Sequence, residues 1–416
     1  MNKKIFFLFL LFFGVTIYMD AQSVEPCGTT AAWNHLLNVH PELAQKRINT
    51  QKQIQDAMNS GIVHSRDVLV IPVVVHVVYK TQFENIPDKE IFSQLAVLNQ
   101  DFRKKNNNFS QVHDSFKGLA TDVGIEFCLA KVDPFGNPTK GITRTSTNIA
   151  NLGLQYGPNG ERQRIFYEDL GGVPAWNPDE YLNIWVCELG ATLLGQASFP
   201  GGLKAEDGIL IDFFAFGTQG MAQAPNNLGK TLVHEIGHYL NLKHVWGNHS
   251  GDCDEDDGIS DTPMQEKPTK GCPGNRPFSC GSFDLFYDFM DYSSDACLAM
   301  FTKEQGEMMV ATLQTVRSGL LTQTKCQTQV LEHPLRHIEL RGNPAGENFV
   351  LFLSEGNIFE IGVTIYNIYG QQVLDTQNYF FPNEQVVDIH QLPQGLYFVM
   401  LTSSDAKVIK KLVVAR

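Results

Sequence analysis

Residues 231–244, TLVHEIGHYLNLKH, hold four side chains whose types and spacing suit a metal-dependent hydrolysis: His234, Glu235, His238 and His244. An α-helix turns about 100° per residue, so His234 and His238 stand one turn apart on one face. Two imidazoles placed in this way bind a tetrahedral zinc ion at about 2.0–2.1 Å. Glu235, beside the first of them, is positioned to take a proton from water that the metal activates. His244 reaches the same ion only if the chain leaves the helix, because the six residues after His238 amount to about 600° of rotation. Asn241 offers the exit, since Asn tolerates left-handed φ, ψ better than any residue but Gly. Three histidines leave a fourth position open, which is the arrangement of catalytic zinc. The alternative is a buried helix with incidental histidines. It requires the whole pattern to arise by chance among 12 His in 416 residues, and we set it aside.

HEIGHYLNLKH resembles the zinc signature of the metzincin clan, whose usual form has Gly where this chain has Asn241. Metzincins also carry a methionine turn beneath the metal, and residues 287–292 (YDFMDY) supply Met290, Asp291 and Tyr292. DDGISDTP at 256–263 and SSDAC at 293–297 are similar to the pappalysin family, in particular its bacterial cytophagalysin and ulilysin-like members. The similarity covers roughly residues 66–329. It implies an α/β (α+β) metzincin-like catalytic domain, with a twisted sheet and a zinc helix, that hydrolyses peptide bonds in protein substrates with catalytic Zn2+. In the family's mechanism Glu235 deprotonates the attacking water and later protonates the leaving amine. Tyr292 either donates to the oxyanion, as the resemblance implies, or is a packed core tyrosine. Met290 forms an apolar floor under the histidines.

Asp295 lies just past the methionine turn, where the pocket for the first residue after the cleaved bond forms in such enzymes. A carboxylate in a partly dry pocket favours Arg through a bidentate pair, and Lys less well. Ulilysin-like enzymes with a matching acid cleave on the amino side of Arg and Lys, and the resemblance implies the same here; otherwise Asp295 is an exposed loop acid. The Ser65–Arg66 bond falls where a pro-segment would end. Pappalysin-like pro-segments place a cysteine in the fourth zinc position, and Cys27 is the candidate for such latency; a cysteine paired elsewhere or idle is the alternative.

These side chains need elements to hold them. Hydrophobic content of 43% and charged content of 19% suit a globular protein with room for two ordinary domains. A formal net charge of −13 without clustered Lys and Arg argues against nucleic-acid binding. Residues 1–21 have a basic start, an apolar middle and a small residue at the break, the pattern of a secretory signal peptide; a membrane anchor is the alternative, but the run is short and no later stretch could span a bilayer. Export through the periplasm to the cell surface or medium permits disulfides. Residues 22–65 are polar and loosely helical, a candidate pro-segment. VLVIPVVVHVVY at 68–79 reads as a central strand, and residues 87–106 as a helix with Ile91, Leu95, Leu98 and Phe102 on one face. Residues 124–132, 182–187 and 208–214 read as further strands. ATLLGQASFPGG at 191–202 forms the sheet edge above the cleft. It is either an ordinary surface strand or the edge along which an extended substrate adds as a further strand.

The acidic loop at 251–262 is either solvated or a calcium site built on Asp254, Asp257, Asp261 and Thr262. The resemblance implies structural Ca2+. Cys253, Cys272, Cys280 and Cys297 contain no C-x-x-C pair for zinc and favour two disulfides, with three connectivities open. The resemblance implies Cys253 with Cys280 and Cys272 with Cys297, and leaves Cys128, Cys187 and Cys326 unassigned. Residues 303–321 read as a closing helix and 330–342 as a linker. From 343 to 416 alternating residues such as Ile361, Val363 and Ile365, with turns between, predict a small C-terminal antiparallel β-sandwich. NPAGENF, LPQGLY and the closing KKLVV resemble the sorting domain of type IX secretion cargo, which implies a partnership with that secretion machinery. A carbohydrate- or protein-binding module of similar shape is the alternative.

Overall fold

The computed structural model describes residues 25–61, 68–190, 192–247, 251–321, 325–326, 335, 338–352, 359–381, 384–403 and 407–416. The signal-peptide reading of residues 1–21 and the Ser65–Arg66 bond lie outside them. The chain divides into two units, Met1–Gln327 and Thr328–Arg416.

In the first unit, residues 22–65 hold two helices, α1 (Thr29–Val39) and α2 (Leu43–Asn59). The β-branched run at 68–79 folds as β1 (Leu69–Tyr79), buried from Ile71 to Val78 as a strand covered on both faces must be. After it come α3 (Asp88–Asp101) and the single turn α4 (Asp114–Lys117). β1 pairs in parallel with β2 (Ile125–Leu129) over its first half, β3 (Ile142–Ser146) over its second, and β4 (Leu182–Cys187). β5 (Gly195–Ala197) and β6 (Ile209–Asp212) complete the order β2-β1-β4-β6-β5. Only β5 is antiparallel, with Gly195 opposite Ile211, and it forms the edge.

Side chains alternate across a strand, and β1 uses both faces. Ile71, Val73, Val75 and Val77 share a core with Ile91, Leu95 and Leu98 of α3 and with Leu232, Val233 and Ile236 of α5 (Lys230–Tyr239), the helix of the histidine motif. Val78 faces the other way, among Phe166, Trp185 and Leu210. The hairpin β7 (Phe278–Ser279) and β8 (Ser282–Phe283) leads on to α6 (Lys303–Gln314). α6 opens with a capping box, Thr302 Oγ1 accepting from Gln305 N and Gln305 Oε1 accepting from Thr302 N.

The second unit contains β9 (Glu339–Arg341), β10 (Asn348–Phe352), β11 (Phe359–Asn367), β12 (Gln372–Phe381), β13 (Glu384–Asp388), β14 (Gly395–Thr402) and β15 (Lys407–Val414). Two antiparallel sheets, β13-β10-β9 and β12-β11-β14-β15, share one core. Phe349, Leu351 and Val387 come from the first, and Ile361, Val363, Ile365, Val399 and Leu401 from the second. The reading of 330–342 as a linker is corrected over its described part. Leu335 and Ile338 are buried in this core and β9 pairs with Val350–Phe352, because even a short segment with apolar residues is drawn onto an open sheet edge.

Candidate active site

α5 is held at both ends by residues distant in sequence. Its N-cap, Gly229, has φ 74°, a conformation that favours Gly. Gln94 of α3 donates to the Gly229 carbonyl at 2.9 Å, and Lys230 Nζ donates to both oxygens of Asp101 at 2.7 Å. At the other end Arg317 Nε donates to the Tyr239 carbonyl at 2.9 Å while its guanidinium pairs with Asp207, a cation where the helix dipole favours one. Asn241 then takes φ 81°, and this left-handed exit turns His244 back toward the helix.

The three imidazoles converge. His234 and His244 Nε2 each lie 3.1 Å from His238 Nε2. His234 Nδ1 donates to the Phe289 carbonyl and His238 Nδ1 to the Leu242 carbonyl, both at 2.8 Å, which leaves their Nε2 lone pairs pointing inward. Burial lowers the His234 pKa to about 4 and, helped by the neighbouring imidazoles, holds His238 and His244 well below the usual histidine range. Neutral imidazoles are the metal-binding form, and lone pairs facing one another at this distance call for a cation between them. The donor set fits zinc.

Cys27 Sγ joins this group, with all four ligand atoms within 4.8 Å of one another. Burial, then the Glu235 carboxylate, pushes the Cys27 thiol well up, so a thiolate here requires a cation. The surrounding backbone lies along the outer edge of β5. Gly28 N donates to Gly195 O at 2.8 Å, Leu194 N donates to Pro26 O at 2.8 Å, and Cys27 bridges Gly195 in parallel.

Glu235 is fully buried beside this strand. A Cβ on Gly195 would lie 2.7 Å from Glu235 Cγ, so the strand approaches the carboxylate only because it has glycine there. Thr29 Oγ1 donates to Glu235 Oε2 and accepts from Ala197 N, each at 2.8 Å. Burial raises the Glu235 carboxyl to about 7, with hydrogen bonds to Thr29 and Cys27 opposing the shift.

Beneath α5 lies the methionine turn. A Cβ on Gly237 would clash with Met290 Sδ, which explains the glycine inside the motif. Asp288 Oδ1 accepts from Met290 N at 2.8 Å and from Gln305 Nε2 at 3.1 Å. Asp291 Oδ1 accepts from Thr269 N at 2.8 Å and Tyr292 N at 2.7 Å. Tyr292 OH lies 3.2 Å from His244 Nε2 and 3.5 Å from Glu25 Oε2. Asp295 is 2% exposed and lines one cavity with Pro26, Cys27, His234 and Glu235. Its Oδ2 accepts from Leu228 N at 2.7 Å and Lys230 N at 3.3 Å, and burial raises its carboxyl to about 6.

The acidic loop is less convergent. Thr262 Oγ1 donates to Asp257 Oδ1 at 2.8 Å, Asp261 Oδ2 accepts from Glu304 N at 3.0 Å, and Asp254 is exposed. Among the described residues only Cys27 and the three histidines form a group of three or more metal-ligating side chains around one point. Disulfides join Cys253 to Cys280, Cys272 to Cys297, and Cys128 to Cys326; Cys27 and Cys187 are free and buried. Sequence reasoning had not found Thr29, Gln94, Asp101, Asp288 or Arg317. Thr29 alone had a local signal, two residues after Cys27.

A family model described as pregnancy-associated plasma protein-A matches residues 171–314, and one for a secretion system C-terminal sorting domain matches residues 342–415. A promirolysin mutant from Tannerella forsythia is 37% identical, with a TM-score of 0.64, covering 72% of this chain and 98% of that one. Mature mirolysin in complex with a cleaved peptide is 40% identical, with a TM-score of 0.58, covering 62% and 98%. An extracellular metalloprotease of Arthroderma benhamiae is 29% identical over 280 residues, 65% of this chain and 88% of that protein. Extracellular relatives and the sorting domain make this a secreted protein, and no helix among the described residues is long and apolar enough to cross a membrane. The chain belongs to the pappalysin family of metzincin zinc metallopeptidases, joined to a C-terminal type IX sorting domain.

Proposed function

We propose that this peptidase is made as a latent zymogen and, once released, cleaves proteins on the amino side of Arg and Lys. In this reading residues 1–21 are the signal peptide, 22–65 the pro-segment, 66–329 the peptidase and 343–416 the sorting domain. The single observation that carries the activity is Glu235, buried beside three converging Nε2 atoms and packed against the edge strand β5 at Gly195. His234, His238 and His244 would hold the zinc ion, which supplies a Lewis acid when bound. Glu235 accepts the proton of the attacking water and returns it to the leaving amine. Tyr292, beside His244, donates its phenol hydrogen to the developing oxyanion, and Met290 supports the ligands from below without binding. The outer edge of β5, which already pairs with Pro26 and Gly28, supports the reading that substrate adds there as a strand.

Latency is supported by Cys27, which stands fourth among the metal-binding groups, and by Thr29, which occupies Glu235. The comparison with a promirolysin supports a precursor form. The basic preference is supported by Asp295, whose protein partners are backbone N–H groups while the nearby Lys230 ammonium is engaged by Asp101. Asp254, Asp257, Asp261 and Thr262 would hold a calcium ion, which would brace the acidic loop beside α6, where Asp261 already accepts from Glu304 N.

Digestion of a mixed peptide pool by the matured enzyme and by a Glu235→Ala control, with cut sites mapped by mass spectrometry, tests this. Cuts before Arg and Lys, abolished by chelator and absent from the control, are expected. Cuts without basic preference would remove Asp295 from the account, and no cutting after pro-segment removal would remove the activity.

A further inference from the structure

We propose that the enzyme also reads an aromatic side chain on the amino side of the cut, received by Phe199 and Tyr156. This rests on the reading of Asp295 as the pocket for the residue after the cut, because that fixes the direction of the substrate. The edge formed by β5 starts at Leu194, which borders the Asp295 cavity, and passes Glu235 at Gly195. It runs on through Ala197 to Phe199, whose ring lies 5.6 Å from that of His238. A strand added antiparallel to β5, with its post-cut residue at the Leu194 end, carries its pre-cut residues toward Phe199. With the post-cut residue opposite Leu194, the second and third residues before the cut stand opposite Gln196 and Ala197, which line the same cavity as Phe199.

That place holds a side-chain pocket, now closed by α1. Trp33 stands perpendicular to Phe199 with ring centroids 6.0 Å apart, and the Arg47 guanidinium lies 4.8 Å above the Phe199 ring. His35 packs on Tyr156 at 4.4 Å and meets the Gly160 carbonyl with Nε2 at 2.8 Å. Tyr156, Phe166 and Phe199 line the peptidase side of the cavity, with Gln163, Gln196 and Glu206 among its polar lining. Departure of α1 takes Trp33 from Phe199 and His35 from Tyr156, and rings prefer edge-to-face partners such as the one Trp33 provides. Pro26–Gly28, which leads into α1, takes the edge of β5 in the parallel direction, opposite to that of the substrate strand, and α1 then leaves the edge, so Trp33 enters the side-chain pocket by a backbone path of its own. Trp33 therefore indicates the type of side chain accepted.

The test uses enzyme matured from the full-length secreted precursor, with zinc content measured for each variant. Peptides carry Arg after the cut and Trp, Phe or Ala at the second or third position before it. A Trp-over-Ala advantage in kcat/KM of about ten-fold at one of these positions is expected, the scale of one buried aromatic contact. It should fall to about two-fold in Tyr156→Ala and in Phe199→Leu. In Asp295→Ala the Trp advantage should persist while the Arg preference collapses. A wild-type ratio near one, or a ratio that neither Tyr156→Ala nor Phe199→Leu changes, overturns the proposal. An Asp295→Ala enzyme that keeps its Arg preference defeats the Asp295 reading instead, and the two failures are read separately.

Discussion

Asp295 receives hydrogen bonds from Leu228 N and Lys230 N at the start of the zinc helix, both on Oδ2. A carboxylate offers about four acceptor positions, so Oδ1 remains for a guanidinium. Burial raises its carboxyl to about 6; above that pH it is charged, and below it becomes a neutral acid that no longer attracts a cation. The ratio of kcat/KM for Arg over Leu after the cut should therefore be full above about pH 7 and decline as pH falls through about 6. A hydrogen bond to a charged group is worth roughly 1.5–3 kcal/mol, so the loss should be about ten- to a hundred-fold. Taking the ratio cancels the titration of Glu235, common to both substrates, and a ratio flat from pH 5 to 8 would defeat the assignment. At this scale the motif was legible because it is local: His234, Glu235, His238 and the Asn241 exit lie within one turn or two of chain. Their supports were not. Lys230 meets Asp101 across 129 residues, Arg317 meets Tyr239 across 78, and Thr29 meets Glu235 across 206. Periodicity carries no information about such pairs.

Among the elements, α1 and α2 are the ones on which the proposed latency rests. Arg47 Nη1 donates to Pro200 O and Lys46 Nζ to Gly202 O, both at 3.0 Å, while Ile54 is buried in the peptidase core. The polar composition of 22–65 concealed this, because a few anchoring contacts rather than an apolar face make the fit. The edge strand was legible as a region but not as β5, whose residues Gly195, Gln196 and Ala197 have little strand propensity. On the proposed latency, Cys27 at the histidines and Thr29 at Glu235 act as two separable latches. Cys27→Ala should mature faster than wild type, and adding Thr29→Val should speed maturation a further ten-fold or so, the worth of a hydrogen bond to a charged group. Adding Thr29→Ser instead should leave the Cys27→Ala rate unchanged. Appearance of the mature band at fixed concentration measures all three. Equal rates for Cys27→Ala and the Thr29→Val double variant would leave Thr29 without a role, and a Cys27→Ala precursor as latent as wild type would do the same for Cys27.

Over the whole molecule, alternation of apolar residues was enough to find the second unit, yet its first strand was taken for linker because β9 has only three residues. The first unit is closed by a bond that no spacing rule could assign. Cys128 lies in β2 beside the central strand, and Cys326 lies at the unit's end, where it bridges Ala130. The disulfide spans 198 residues, so it removes more freedom from the unfolded chain than the other two, which span 27 and 25. Loss of a native disulfide typically costs about 2–5 kcal/mol. For a unit of this size each kcal/mol lowers Tm by roughly 2–4 °C, so replacing both Cys128 and Cys326 by Ala should lower it by about 5–20 °C. Calorimetry in a Glu235→Ala background avoids self-digestion. The second unit contains no cysteine and gives an internal reference, since its own transition should stay in place. A shift of the first transition below about 2 °C would mean that the sheet and α6 hold the end of the unit without the bond, and that export through an oxidising compartment adds little to its stability.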